Sequence, residues 1–391
     1  MLKKARIINF RSLQDITLEM GNLTVIVGAN STGKSNCLKS LSLFSFLVKL
    51  SSPLPAEIFR DLIRGGEENQ LHFEYFFELE GRDIRYNLSL KQAEEGKIEF
   101  SEEQLCIGEV ILIDVKSNSG QIRDEDGSNE QKFFSKEGKL ALNTTVNFGD
   151  KPLTSKFYET IKSWEFFNLK PSDMRRIKKH SSLIRTLLKE ESDDVMLKPS
   201  LDPTGRNLES VLLDWYKTDR ERFDELCNEV NECLGIGIFV TEKDEKVFLE
   251  IQEIDNQTIK LTGLSDGTLR IIAYYVLLFV DNIPSLIGIE EPERNLHPAI
   301  LKNVADVLKR LAQKTQVVIT THSPQLLDCF NVDELNNETS IMLLSKQSSC
   351  GTKIFQLSAL SKEREDLVEW MTDFGIGSAV YDSNLLEKVL T

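Results

Sequence analysis

The chain has 391 residues, 40% hydrophobic and 28% charged, the balance of a globular protein with two or three domains or one large domain with insertions. A formal net charge of −15 speaks against a dedicated nucleic-acid binder, which draws much of its affinity from basic contacts to phosphates. Six cysteines without C-x-x-C spacing indicate neither a zinc site nor a disulfide framework, and no apolar run is long enough to span a bilayer; the expected location is the cytoplasm, with no membrane contact.

Taken in chain order, two strands are expected at Ala5–Phe10 and Leu23–Val27, joined by Arg11-Ser12-Leu13-Gln14-Asp15. The second strand runs into Gly28-Ala29-Asn30-Ser31-Thr32-Gly33-Lys34-Ser35, a G-x-x-x-x-G-K-S pattern, and then into a helical apolar pattern through Leu38, Leu41 and Leu43. That is the context of a phosphate-binding loop: glycines let backbone N–H groups turn toward phosphates, and the following helix points its positive end at them. Lys34 is expected to bridge the β- and γ-phosphates and Ser35 to hold Mg²⁺. Alternating apolar residues from about 71 to 115 predict an antiparallel meander, and the polar stretch 116–155 reads as loop. A strand is expected at Trp164–Leu169, stopped by Pro171, followed by helices over about 173–234 and a hairpin of Gly237–Val240 with Val247–Ile251.

The second half of the chain holds the other polar motifs. Leu264-Ser265-Asp266-Gly267 opens an apolar helix, giving a second anion-receptive helix start. An apolar strand, Ser285–Ile289, ends in Glu290-Glu291; in a parallel sheet such an end faces the ligand, so one carboxylate can serve Mg²⁺ and the next the attacking water. Gln316–Ile319 repeats the design and ends in Thr320-Thr321-His322-Ser323, and His297 also lies just beyond a strand. The dense basic run Arg175-Arg176-Ile177-Lys178-Lys179 is either a solvated helix face or a contact to nucleic acid or an acidic partner.

This ordered set resembles the ABC-type ATPase heads, and within them the RecF, SMC and OLD-like branch. The opening Ile8-Asn9-Phe10-Arg11-Ser12-Leu13, the run Glu290-Glu291-Pro292-Glu293-Arg294-Asn295-Leu296-His297-Pro298 and the tail Phe374-Gly375-Ile376-Gly377-Ser378 are all similar to that branch. The resemblance implies an α/β P-loop NTPase with a mixed central sheet, an antiparallel β subdomain and a helical lobe. It divides the chain into 1–170, an ATPase lobe with the P-loop and β insertion; 171–262, a helical lobe; 263–345, a second ATPase lobe; and 346–391, a tail packing on the head. It implies ATP and Mg²⁺ held by Gly28, Asn30, Ser31, Thr32, Gly33, Lys34, Ser35 and Asn36, with Arg11 approaching the nucleotide. Glu290 stands on the Mg²⁺ side with Ser35, Glu291 is the catalytic carboxylate, His322 the switch histidine, and His297 falls at the D-loop. Ser265 and Gly267 match the signature that closes over the ATP of another subunit, implying a homodimer or higher oligomer.

Two positions depart from the branch. Asp266 replaces the usual second signature glycine, a negative charge expected to slow hydrolysis, and Lys170-Pro171-Ser172-Asp173 lacks the Q-loop glutamine. Stand-alone heads resembling this one work in bacterial anti-phage defence beside a separate effector such as a nuclease. The segment after His322 looks too short for the Toprim nuclease domain of the self-contained members, so the effector is expected to be another chain. A RecF-like repair or replication ATPase and an ATP-binding scaffold with very slow turnover are the alternatives.

Overall fold

The computed structural model describes residues 1–50, 61–66, 69–92, 98–134, 139–145, 151–175, 200–243, 246–252, 257–335, 338–347 and 351–381. These form two compact units. The first comprises Met1–Phe166, Pro284–Pro292 and Ala312–Thr391; the second comprises Phe167–Ile283 and Glu293–Leu311.

The chain opens with β1 (Leu2–Phe10) and β2 (Leu13–Glu19), paired antiparallel around a turn at Arg11 and Ser12. The segment read as a plain connection is thus the start of a strand, whose Leu13, Ile16 and Leu18 face the core. β3 (Leu23–Gly28) is buried throughout and feeds α1 (Lys34–Lys49). β4 (Leu71–Leu79), β5 (Arg82–Gln92), β6 (Ile98–Ile107) and β7 (Val110–Lys116) form the expected meander. It continues through β8 (Ser119–Ile122) and β9 (Gln131–Phe134), where the sequence predicts loop. At the end of that polar stretch α2 (Pro152–Lys162) begins at a proline, runs on beyond it, and buries Leu153, Phe157 and Ile161. Their spacing of four residues makes one helical face, too short a stripe to stand out among polar neighbours. The eight-stranded sheet runs β2-β1-β4-β5-β6-β7-β8-β9.

β10 (Glu165–Phe167) is shorter than the predicted strand. Beyond it lie α3 (Leu208–Thr218), α4 (Arg220–Leu234) and a three-stranded sheet of β11 (Gly237–Lys243), β12 (Lys246–Gln252) and β13 (Thr258–Lys260). α5 (Asp266–Phe279) is buried from Leu269 to Leu278, which accounts for its uninterrupted apolar sequence. β14 (Leu286–Glu290), α6 (Leu301–Ala312), β15 (Gln316–Thr321), β16 (Thr339–Gln347) and β17 (Gly351–Gln356) follow, then α7 (Glu365–Phe374). The second sheet has the order β10-β14-β15-β3-β16-β17, with β14, β15, β3 and β16 parallel and β17 antiparallel to β16. No helix among the described residues is long and apolar enough to cross a membrane.

α1 lies between the two sheets, and aromatic packing fixes it there. Phe44 stacks on Tyr75 with ring centroids 4.0 Å apart and meets Trp164 edge-on at 5.8 Å. Alternation along β4 supplies Phe73, Tyr75 and Phe77 to this face. The helix that carries the phosphate loop is therefore clamped by large buried rings, each a substantial apolar contribution with geometric preference.

A buried carboxylate stands in the same unit. Glu103 accepts hydrogen bonds from the Tyr86 hydroxyl at 2.8 Å and from the amides of Leu142 at 2.8 Å and Ala141 at 2.5 Å. Burial pushes its carboxyl from the ordinary 4.5 up to about 7, against those three donors. Between these values the folded chain holds a proton that the unfolded chain has released, so this group's contribution to stability falls as pH rises from 4.5 to about 7 and is level above. Urea midpoints are expected to drop over that window, and Glu103→Gln, uncharged at every pH, to flatten that part of the profile. An unaltered profile in the variant would remove Glu103 as the cause.

Candidate functional site

The phosphate loop is built at the C-terminal end of β3. Ser31 takes a left-handed conformation (φ 65°) and Gly33 one at φ 111°. At Gly33 a side chain is excluded twice over, by that φ and by Thr352 Oγ1 and Ser12 Oγ, 2.7 and 3.0 Å from where a Cβ would stand. Lys34 is buried, and its ammonium donates to the carbonyls of Gly28 at 2.8 Å and Ala29 at 2.9 Å, which hold it inside the loop. Thr32 Oγ1 also donates to the Ala29 carbonyl, at 2.9 Å. Ala29, Asn30 and Ser31 are exposed at the rim, and Ser35 follows Lys34 in the first turn of α1.

Sheet register places the acidic residues level with this loop. Glu290 pairs with Thr320 and Thr320 with Ile26, so three parallel strands end side by side. At the usual strand spacing the backbone of Glu290 lies about 10 Å from that of Ile26, within side-chain reach of the phosphate loop that follows. Glu291 turns out of the strand in a left-handed conformation (φ 46°), costly for a residue with a Cβ, while its N–H donates to the Thr320 carbonyl at 3.0 Å. Its Oε1 lies 3.2 Å from His322 Nδ1. Two residues from different strands thus meet beside the loop.

Other sequence-derived residues fall differently. Asn36 directs its amide to Ser12 Oγ at 2.8 Å, tying the β1–β2 turn to α1. Arg11 has φ 49°, and its guanidinium carbon stands 5.8 Å from the Phe10 ring centroid; Ser12, its neighbour, makes the contacts to the loop helix. Sequence reasoning missed Thr352. From β17 its buried hydroxyl donates to the Thr32 carbonyl at 2.7 Å, supporting the loop from below. A lone threonine in a strand carries no signal of that role.

The residues expected to form the signature belong to the second unit. Ser265 is the N-cap of α5, its Oγ accepting from the Thr268 amide at 3.1 Å. Gly267 packs against the 293–298 loop: a Cβ there would stand 3.2 Å from Leu296 Cδ2 and 3.3 Å from the Asn295 carbonyl. His297 is exposed and caps the short turn Pro298–Ile300 through Nδ1, at 3.2 Å from the Ala299 amide. Arg175, the first of the basic run, pairs with Asp266 at 2.6 Å. Residues 176–179 of that run lie outside the described residues.

Comparison with known proteins agrees with this architecture. A family profile described as "AAA domain, putative AbiEii toxin, Type IV TA system" matches residues 23–328. An uncharacterized protein of Methanocaldococcus jannaschii is 24% identical over 322 residues, 78% of this chain and 89% of that protein. An OLD nuclease of Thermus scotoductus is 49% identical over 43 residues, 11% of this chain and only 8% of the nuclease. Among solved structures, an SMC head bound to the C-winged helix domain of ScpA matches with a TM-score of 0.52 and 15% identity, covering 93% of this chain and 99% of that one. That likeness concerns the fold. With its phosphate loop, its acidic strand end and a profile match from β3 to beyond β15, the chain belongs to this AAA-domain family and shares the fold of an SMC head.

Proposed function

We propose that the protein is an ATPase head that binds ATP and Mg²⁺, closes on a second copy of itself around the nucleotide, and by hydrolysis switches a separate effector, a nuclease, in cytoplasmic anti-phage defence. The observation that carries this reading is the Glu291–His322 pair, 3.2 Å apart at strand ends level with the phosphate loop. A carboxylate so placed can take a proton from water, and an imidazole beside it can hold its orientation. The family match supports nucleotide use, and the short similarity to an OLD nuclease supports a nuclease-linked setting. The SMC head solved with a bound ScpA domain supports a head that works through a partner protein.

In this mechanism the Lys34 ammonium exchanges its carbonyl contacts at Gly28 and Ala29 for β- and γ-phosphate oxygens. Loop amides from Asn30 to Ser35 donate to the same phosphates. The Ser35 hydroxyl and the Glu290 carboxylate fit Mg²⁺, which takes few protein ligands and, when bound, offsets phosphate charge. Glu291 accepts a proton from the attacking water as its oxygen bonds to the γ-phosphorus. The bond from that phosphorus to the bridging oxygen breaks, and ADP leaves with the electron pair. His322 keeps Glu291 aimed, and Ser265 and Gly267 of the second copy meet the γ-phosphate. Nothing is bound covalently to the protein, so catalysis rests on positioning and charge.

Lys34→Ala tests the nucleotide assignment. Affinity for a fluorescent ATP analogue is expected to fall about 100-fold or more, the scale of a lost charge-assisted phosphate contact, with turnover lost as well. Turnover per subunit of the unmodified chain should rise with protein concentration, as two copies are needed for one complete site. Phosphate release no higher than background at every concentration would leave the ATPase reading without support.

A further inference from the structure

Asp266 occupies the first helical position of α5, directly after the N-cap Ser265. A helix N-terminus draws anions because its first amides lack partners and carry partial positive charge. A carboxylate fixed there opposes that field, the wrong sign for a terminus that must receive a γ-phosphate. In this chain both carboxylate oxygens are engaged. Arg175 Nη2 lies 2.6 Å from Oδ1, and Asn295 Nδ2 donates to Oδ2 at 3.2 Å. The same Nη2 donates to the Leu264 carbonyl at 2.8 Å. One guanidinium nitrogen thus contacts both the carboxylate and the backbone just ahead of Ser265. Asn295 reaches Asp266 from a left-handed conformation (φ 62°), and the close approach of Gly267 to the Asn295 carbonyl holds that turn against the helix start.

The geometry points to Arg175 as the positioning residue of the signature: it neutralises Asp266 and pins the Leu264–Asp266 turn, so that the start of α5 can receive the γ-phosphate held by a second copy. This rests on the face-to-face reading proposed above. It gives the aspartate in place of the usual glycine a compensating partner, and gives Arg175 a task apart from the rest of the basic run. Because the two side chains are 32% and 41% exposed, the interaction is screened by salt, and that dependence distinguishes a charge effect from a structural one.

The test uses the full chain and measures Mg-ATP turnover against ATP, protein concentration and ionic strength. Arg175→Ala and Arg175→Gln are expected to lower kcat about tenfold, with KM for ATP unchanged within about twofold, the scale of coupling between groups in direct contact. Added salt should recover part of the loss in these variants and not raise the unmodified rate. In the Asp266→Gly background, where no carboxylate needs neutralising, Arg175→Ala should cost less than about twofold. Arg175→Gln keeps a donor for the Leu264 carbonyl, so equal losses in both Arg175 variants at matched melting temperatures mark the charge as the cause. Parental turnover in Arg175→Ala, or the same fold-loss with and without Asp266, overturns the inference. Turnover per subunit independent of concentration in the unmodified chain, with Ser265→Arg fully active, overturns instead the face-to-face reading. Concentration dependence together with independent effects at Arg175 and Asp266 sinks only the present inference.

Discussion

Glu291→Gln is expected to bind ATP within about threefold of the parental affinity while turnover falls by about 100-fold or more, the usual contribution of a positioned general base. The substitution keeps the shape of the side chain and its capacity to contact His322, 3.2 Å away, but removes the carboxylate oxygen to which the proposed mechanism assigns the water proton. It also leaves the strained φ of 46° at this position unchanged, so the backbone hydrogen bond to Thr320 should survive. Binding without turnover should trap the closed, ATP-bound pair, visible as a doubling of mass by light scattering on adding Mg-ATP. His322→Ala should produce a smaller loss, because the carboxylate persists and loses only its orientation. If Glu291→Gln hydrolyses ATP at the parental rate, the water is activated elsewhere and the assignment of this carboxylate is wrong.

Ser265→Arg should abolish turnover while leaving single-subunit ATP affinity nearly intact. Ser265 is exposed and belongs to the second unit, whereas Lys34, Glu290 and His322 all belong to the first. A large cation at this point would obstruct the proposed closure of one copy on the other. The change also removes the N-cap bond to the Thr268 amide, which costs about 0.5–2 kcal/mol of stability. Ser265→Ala is therefore the control: it loses the cap without adding bulk and should keep much of the activity. Mixing Ser265→Arg with Lys34→Ala separates the two mechanisms further. Each mixed pair has one site with an intact phosphate loop facing an intact signature, and one doubly damaged site. With random pairing in a two-fold dimer and independent sites, roughly a quarter of the parental turnover should return. Ser265→Arg with parental turnover at concentrations where the protein is monomeric would end the face-to-face mechanism.

What could be read from sequence was local. The β-branched run into G-x-x-x-x-G-K-S specifies a strand, a loop with a left-handed glycine and a helix start within a dozen consecutive residues. Alternation from Leu71 to Phe77 likewise declares a strand with one buried face, because the pleat repeats every two residues. The polar stretch holding β8, β9 and the start of α2 escaped this logic, since short or edge elements bury few side chains and leave weak periodicity.

The acidic strand end and the histidine were legible as separate motifs, but their meeting was not. It depends on β15 lying between β14 and β3, an order set by crossovers that no stretch of sequence records. Thr352 reaching the carbonyl of Thr32, 320 positions away, is of the same kind, as is the Arg175–Asp266 pair. The sequence by itself determined the phosphate loop, the β layer and the polar motifs, because backbone conformation and side-chain alternation are decided among near neighbours. Tertiary structure alone decided which charges meet, because a carboxylate's partner is chosen by strand order and packing across the whole chain.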